Sequence, residues 1–225
     1  MKTILIIAAH PDDEVLGCFG TVARLIQEGY IAYTLILGEG KTSRFDIRDI
    51  ANSKDDILEL NKETVKANNI IGIKEVFMES FPDNRFDSVD LIDIVKVITK
   101  IKDKIKPDII FTHYEHDLNI DHQITYKAVI TATRPMKDEC VKEIYSFNIL
   151  SSTEWNYPLS FDPNTFYDIS NTIKLKLKAM KKYNSELCKY PHPRSLKGIK
   201  ISAQNTGLQI GKTYAESFKI IRLLR

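Results

Sequence analysis

The segment HPDDE at residues 10–14 places a histidine and three carboxylates in a row broken only by one proline. It directly follows the apolar run ILIIAA, and the chain turns apolar again after it. Six consecutive apolar residues are typical of a strand that is buried on both faces. An imidazole and carboxylates at the end of a buried strand can bind a metal ion or transfer protons. The segment therefore marks a candidate active site.

Two residues of this segment have the spacing of metal ligands. His10 and Asp13 are three positions apart in a turn that Pro11 stiffens, so their side chains can converge while Asp12 points elsewhere. An imidazole and a carboxylate suit zinc, and a catalytic zinc has three protein ligands and an open position for water. The alternative is that Asp12 or Asp13 caps the following helix.

The third ligand must come from elsewhere, and the segment THYEHDLNIDHQIT at 112–125 offers candidates. It contains three histidines and two aspartates, namely His113, His116, His122, Asp117 and Asp121. Asp121 either hydrogen-bonds a neighbouring imidazole and fixes its tautomer, or caps a helix.

Apolar periodicity predicts strands alternating with helices along most of the chain. The predicted strands cover 4–9, 31–37, 75–80, 107–113 and 143–150, and the predicted helices cover 14–29, 46–69, 87–104, 122–133, 171–186 and 211–224. This order indicates an α/β fold with a mostly parallel sheet and helices on both faces. The loop-rich stretches 151–169 and 187–210 are either lids over a site or plain connections.

In such folds ligands bind beyond the carboxyl ends of the strands. The first predicted strand ends directly before His10 and the fourth ends at His113, so both polar segments lie at one edge. Arg44 and Arg85 follow the second and third strands and could hold hydroxyl or phosphate groups of a ligand there. The alternative for each arginine is an ion pair with a nearby aspartate.

The segments AAHPDDEVLGCFG and DLNIDHQITYKAVITATRP resemble the PIG-L/LmbE-like family of zinc-dependent de-N-acetylases. FPDNRFD, YPHPRS and YAESF extend the resemblance over nearly the whole chain. It implies a single Rossmann-like domain over 1–225, which removes acetyl groups from N-acetylglucosamine-type sugars or their conjugates. It also implies that His10, Asp13 and His122 hold the zinc and that Asp12 is the general base.

One position departs from the family pattern. Some members carry a histidine three residues before the metal histidine, where it stabilises the tetrahedral intermediate, but this chain has Asn119. Asparagine can still donate a hydrogen bond to an oxyanion, without a charge. His192, between two prolines, could supply the missing imidazole, as could His113 or His116. For His192 the alternative is an ordinary surface histidine.

The bulk composition indicates a globular protein of 225 residues with a net charge of +2, which gives no reason to expect nucleic acid or an acidic membrane as partner. The apolar start is too short for a signal peptide, and no segment is long enough for a membrane span. The chain has three cysteines, which are far apart in the sequence and lack the spacing of a metal-binding motif. This favours a reducing, cytoplasmic location.

Other functions stay open at this level. GEGKTS at 38–43 is similar to the end of a phosphate-binding loop. The first glycine that this motif requires is replaced by Leu35, which argues against nucleotide hydrolysis. A binding protein with a non-catalytic metal site is an alternative, as is a hydrolase of another N-acyl group such as formyl. Fe²⁺ or Mn²⁺ also suits the ligand set. A homo-oligomer is compatible with the sequence, which does not specify one.

Overall fold

The computed structural model describes residues 1–44, 49 and 52–225, with the side chain of Arg44 outside that description. Strands and helices alternate through most of the chain. The elements are β1 Thr3–Ala8, α1 Asp13–Gln27, β2 Ile31–Gly38, α2 Lys54–Ile71, β3 Glu75–Phe81, α3 Leu91–Ile105, β4 Ile109–His113, α4 Ile120–Ala132, β5 Glu143–Phe147, β6 Thr165–Asp168, α5 Ile173–Met180, α6 Leu196–Leu208 and β7 Ala215–Leu223.

Within the described residues the strands form one sheet in the order β3-β2-β1-β4-β5-β7-β6. The strands from β3 to β5 are parallel, whereas β7 runs antiparallel to both β5 and β6. The strand order therefore reverses between β1 and β4. In open α/β sheets a crevice forms at such a reversal, beyond the carboxyl ends of the strands. The predicted fold class is confirmed.

Helices cover both faces of the sheet because β1 is apolar on both sides. Ile4 and Ile6 belong to a core shared with α1, α2 and α5, whereas Leu5 and Ile7 belong to a second core shared with α3 and α4. All four side chains are fully buried, and each contributes about 1.5–3 kcal/mol through burial. The charged segment after β1 is thus anchored by a strand that cannot shift without exposing both cores.

The C-terminal part differs from the sequence prediction. Residues 211–224, predicted as a helix, contain β7 instead, and the predicted loop stretch 187–210 contains α6. The helix prediction was wrong because a short apolar run fits the period of a helix and that of a strand equally well. Hydrogen-bonded pairing with β5 and β6 makes this segment a strand. The start of α6 is set by Ser195, whose hydroxyl accepts a hydrogen bond from the Gly198 N–H at 2.9 Å.

Two further segments differ from the sequence prediction. The predicted helix 171–186 is α5, which ends at Met180, and the stretch 151–169 contains the short strand β6. The predicted helix 46–69 corresponds to α2, and part of its expected first turn falls outside the described residues. Among the helices that the structure describes, none has the length and apolar character to cross a bilayer.

Candidate metal centre and active site

The carboxyl end of β1 and the first turns of α1 and α4 bring three potential metal ligands together. His10, Asp13 and His122 each offer one ligand atom, and these atoms lie within 4.8 Å of one another. Nδ1 of His10 is 3.4 Å from Oδ2 of Asp13, and Nε2 of His122 is 3.3 Å from the same oxygen. Asp13 and His122 are buried, and the side chain of His10 is 12% exposed.

These distances fit a metal ion. Two ligands about 2.1 Å from a tetrahedral zinc are about 3.4 Å apart, close to the separations of both imidazole nitrogens from the carboxylate of Asp13. The second oxygen of Asp13, Oδ1, is buried without a hydrogen-bond partner among the described residues. A buried carboxylate oxygen normally has a partner, and a bound cation would satisfy this one.

The outer nitrogen of each imidazole faces a carboxylate. Nε2 of His10 lies 2.9 Å from Oδ2 of Asp121, and Nδ1 of His122 lies 3.0 Å from Oδ1 of Asp117. Such carboxylates fix the tautomer and the orientation of metal-binding histidines. Asp117 is held in turn by the hydroxyls of Ser152 and Thr153. Residues at the start of the stretch 151–169 therefore help to hold the site in place.

A second group of ligand atoms shares His10. Asp83 and Asp121 lie on the Nε2 side of the ring, at 3.4 and 2.9 Å. With one imidazole and two carboxylates this group suits manganese or magnesium better than zinc. The other oxygen of Asp121 accepts a hydrogen bond from the Phe86 N–H at 2.9 Å, so that carboxylate has a structural role. His10, Asp13 and His122 are therefore the stronger candidate group for a metal ion.

The charges of the carboxylates at this site favour a cation. Burial would lower the pKa of His10, but hydrogen bonds to Asp121 and Asp13 raise it to about 10. Burial acts likewise on His122, where the nearby carboxylates of Asp13 and Asp117 raise the pKa to about 9. Burial would raise the pKa of Asp13, but the adjacent imidazoles hold it well below its usual range. Without a metal, the imidazoles carry the protons that balance the carboxylates.

Metal binding should therefore release protons. Ligand imidazoles must be neutral, and in the metal-free protein the pKa values of His10 and His122 are about 10 and about 9. Both rings are protonated at pH 7, so one metal ion should displace about two protons from them there and fewer as the pH rises toward 10, in addition to any proton lost by a metal-bound water. Calorimetric titration with zinc in two buffers of different ionisation enthalpy measures this number. Release of no proton at pH 7 would contradict the ligand assignment.

Asp12 occupies the N-cap position of α1, but its side chain makes no capping hydrogen bond. Its backbone is left-handed, with φ of 98°, which is uncommon for a residue other than glycine. Oδ2 of Asp12 lies 3.2 Å from Nη1 of Arg194. Burial raises the pKa of Asp12 well above its usual range, and the guanidinium of Arg194 opposes this shift. A buried carboxyl group with this surrounding is a candidate for proton transfer.

A polar cavity of about 100 Å³ opens beside the candidate ligands. Its lining includes His10, Asp12, Asn84, Asn119, Glu186 and Arg194. Asn119 is also the N-cap of α4: its oxygen accepts from the Asp121 N–H at 2.8 Å and its nitrogen donates to Asn84 at 2.7 Å. One N–H of the Asn119 amide remains for a ligand.

The other residues predicted for the site differ from one another in where they lie. His192 does not line the cavity; its Nδ1 accepts from the Arg194 N–H at 3.2 Å and its ring contacts Trp155. Arg85 is exposed and forms an ion pair with neither Asp83 nor Asp87 among the described residues. The side chain of Arg44 lies outside the described residues.

The two remaining histidines of the second segment also differ in environment. His113 is buried and its ring stacks on His122, with ring centres 3.9 Å apart, while its Nε2 accepts from the Ala9 N–H. Burial lowers the pKa of His113 well below its usual range, so the ring is neutral. The side chain of His116 is 62% exposed. Neither lines the cavity.

Sequence reasoning did not single out Glu14, Asp83 or Arg194. Asp83 follows β3 and so lies at the predicted edge, where its Oδ2 accepts from the Ser43 hydroxyl at 2.6 Å. Its position after a strand was a usable signal. Arg194 comes from a distant loop, and no local pattern connects it with Asp12.

Comparison with known proteins agrees with this geometry. Residues 5–133 match the family model described as PIG-L, GlcNAc-PI de-N-acetylase. The chain belongs to the PIG-L family. The matched range includes the candidate metal ligands, the candidate base Asp12, and the two carboxylates that face the imidazoles, Asp117 and Asp121.

Curated PIG-L relatives are named as deacetylases. The chain is 29% identical over 190 residues to an uncharacterized deacetylase, YaiS, of Escherichia coli K12, covering 82% of this chain and 91% of the relative. It is 27% identical over 188 residues to a probable N-acetyl-alpha-D-glucosaminyl L-malate deacetylase 2 of Bacillus cereus, covering 82% and 84%.

Solved structures share the fold. The conserved protein TT1542 of Thermus thermophilus superimposes with a TM-score of 0.78 at 25% identity, covering all of this chain and 97% of that one. GalB of Pseudomonas putida, a 4-carboxy-2-hydroxymuconate hydratase, gives 0.74 at 20% identity, covering 98% and 96%. At that identity the likeness shows the fold alone, so this architecture also carries other chemistry.

Proposed function

We propose that this protein is a metal-dependent amide hydrolase that removes the acetyl group from an N-acetylated amino sugar or sugar conjugate. The observation that carries the proposal is the convergence of His10, Asp13 and His122 next to a cavity lined by Asp12. Amide hydrolysis requires activation of the carbonyl, a nucleophilic water and protonation of the leaving amine. The site has a group for each requirement.

Zinc is the metal that we assign to the site, because two imidazoles and one carboxylate form a common catalytic zinc set. Held by these residues, it would polarise the amide carbonyl and lower the pKa of a water molecule to about 7. The outer carboxylates Asp117 and Asp121 keep the ligand nitrogens aimed at Asp13.

The remaining steps fall to the chain's own side chains. Arg194 holds one oxygen of Asp12, and the other receives no hydrogen bond from the described residues. That oxygen takes a proton from the attacking water and returns it to the leaving nitrogen. The free N–H of Asn119 donates to the oxygen of the substrate acyl group, which stabilises the charge that develops there.

The substrate class follows from the cavity and from the relatives. Amide and carboxylate side chains such as Asn84, Asn119 and Glu186 are typical partners of sugar hydroxyls. The name of the Bacillus cereus relative specifies an N-acetylglucosaminyl substrate. Arg44 and Arg85 remain proposed contacts for parts of the substrate outside the cavity.

Released acetate tests the proposed function. Purified protein is incubated with N-acetylglucosamine, its malate conjugate, its β-1,4-linked disaccharide and its nucleotide conjugate, together with the N-formyl analogues. We expect acetate and free amine in equal amounts from at least one substrate, loss of activity with a chelator and recovery with zinc. The Asp12→Asn protein is the control. Metal binding with sugar binding but without turnover would instead indicate a binding protein, and turnover of formyl substrates alone would change the acyl group.

A further inference from the structure

The carboxylate of Glu14 is fully buried next to the metal ligands, yet it does not line the cavity. Its Oε2 accepts a hydrogen bond from the Asp12 N–H at 3.0 Å. Its Oε1 accepts from Nδ2 of Asn68 at 3.0 Å and from the hydroxyl of Tyr183. Donors from the turn before α1, from α2 and from the segment after α5 therefore converge on one carboxylate.

The Asp12 N–H needs such a partner. With φ of 98° and ψ of −24°, Asp12 adopts a conformation that a residue with a Cβ atom rarely adopts, so surrounding contacts must hold it. This conformation separates the two adjacent carboxylates: Asp13 faces the imidazoles, whereas Asp12 faces Arg194. A change in the backbone at Asp12 would move its carboxylate relative to the ligands.

We propose that Glu14 is a positioning residue that holds the backbone of Asp12 so that the Asp12 carboxylate reaches the cavity. The proposal rests on the proposed function, because it assigns Glu14 to the placement of the base. In its ionised form Glu14 only accepts, so it can serve all three donors. Glutamine at this position would turn an N–H₂ group toward at least one of these donors, which explains the choice of an acid.

The alternative is a purely structural cap. Near the start of α1, Glu14 reaches back to the N-cap N–H much as in a capping box. Capping alone would affect stability without affecting turnover. The partners Asn68 and Tyr183 connect Glu14 to distant elements rather than to solvent, and they rigidify it beyond what a surface cap requires.

A double-mutant cycle separates the two roles. In the wild-type background, Glu14→Gln should lower kcat by about 10²-fold, the effect of a catalytic group misplaced by about 1 Å, with metal content unchanged. In the Asp12→Asn background the same change should lower kcat no further, since the base is already absent. An equal fall in both backgrounds, or no fall in the wild type, would overturn the proposal.

Tyr183→Phe keeps the shape of the buried ring and removes only one of the three donors. It should lower kcat about 10-fold, and it keeps the test possible if Glu14→Gln does not fold. The matched control is Tyr145→Phe, which removes the 2.7 Å hydrogen bond from the Tyr145 hydroxyl to Glu143 on β5. The control should leave kcat unchanged. An equal effect of both variants would show a general loss of stability.

A readout independent of activity distinguishes this proposal from the proposed function. Amide hydrogen exchange followed by NMR should show a protected Asp12 N–H in the wild type and faster exchange in Glu14→Gln. An Asp12 N–H that exchanges equally fast in both proteins would overturn the positioning role even if the enzyme is active. Protection together with no turnover on any substrate would contradict the proposed function alone.

Discussion

Asp12→Asn should lower kcat by about 10²–10⁴ while metal binding stays nearly intact. The side chain lies next to a ligand but pairs with Arg194 rather than with the imidazoles. Asparagine has the same shape and lacks the capacity to accept and return a proton. Steady-state kinetics together with metal analysis of the same preparation measure both quantities.

Asp13→Asn is the natural comparison, because the two residues are neighbours with different partners. It should weaken metal binding, since Oδ2 of Asp13 lies within 3.4 Å of both ligand imidazoles. The opposite pattern, with metal lost in Asp12→Asn and only turnover lost in Asp13→Asn, would show that the two roles are exchanged. Small and equal effects of both changes on metal binding and turnover would show that the segment serves only as a helix terminus.

His122→Ala should abolish activity at stoichiometric zinc. It removes one of the three proposed protein ligands, and changes to residues that merely support a ligand already weaken metal binding by about 10–100-fold. We therefore expect a loss of metal affinity of more than about 100-fold. Excess zinc should restore part of the activity, because the two other ligands remain. Competition with a chromophoric chelator measures the affinity.

His116→Ala is the matched control, since His116 lies in the same segment with 62% of its side chain exposed. It should change neither metal affinity nor kcat. Full metal affinity in the His122→Ala protein would contradict the assignment. In that case the second group, formed by His10, Asp83 and Asp121, would be the metal site.

The parallel part of the fold was predictable because its signals are local. A fully buried strand such as β1 reads as an unbroken apolar run, and the alternation with helices leaves a parallel sheet as the simplest solution. The C-terminal part was less predictable, because β7 is a strand through its pairing with β5 and β6. Hydrogen bonds to distant segments leave no periodic signal in the strand itself.

The candidate site divides in the same way. The placement of His10 and Asp13 at the end of a buried strand was predictable from the sequence, since the two residues are close together in the chain. The family resemblance already implied His122 as the third residue, and the tertiary structure shows how it differs from another histidine of that segment, His113. His122 presents Nε2 to Asp13, while His113 is turned toward the Ala9 N–H.

The supporting contacts depend on the tertiary structure still more. Arg194 meets Asp12 across 182 positions of the chain, and Tyr183 meets Glu14 across 169. Residue types and spacing determine what chemistry a short segment can perform, because neighbours in a turn stay neighbours in the fold. Which distant side chains orient that segment is decided by packing of whole helices and loops, and that packing depends on all their contacts at once.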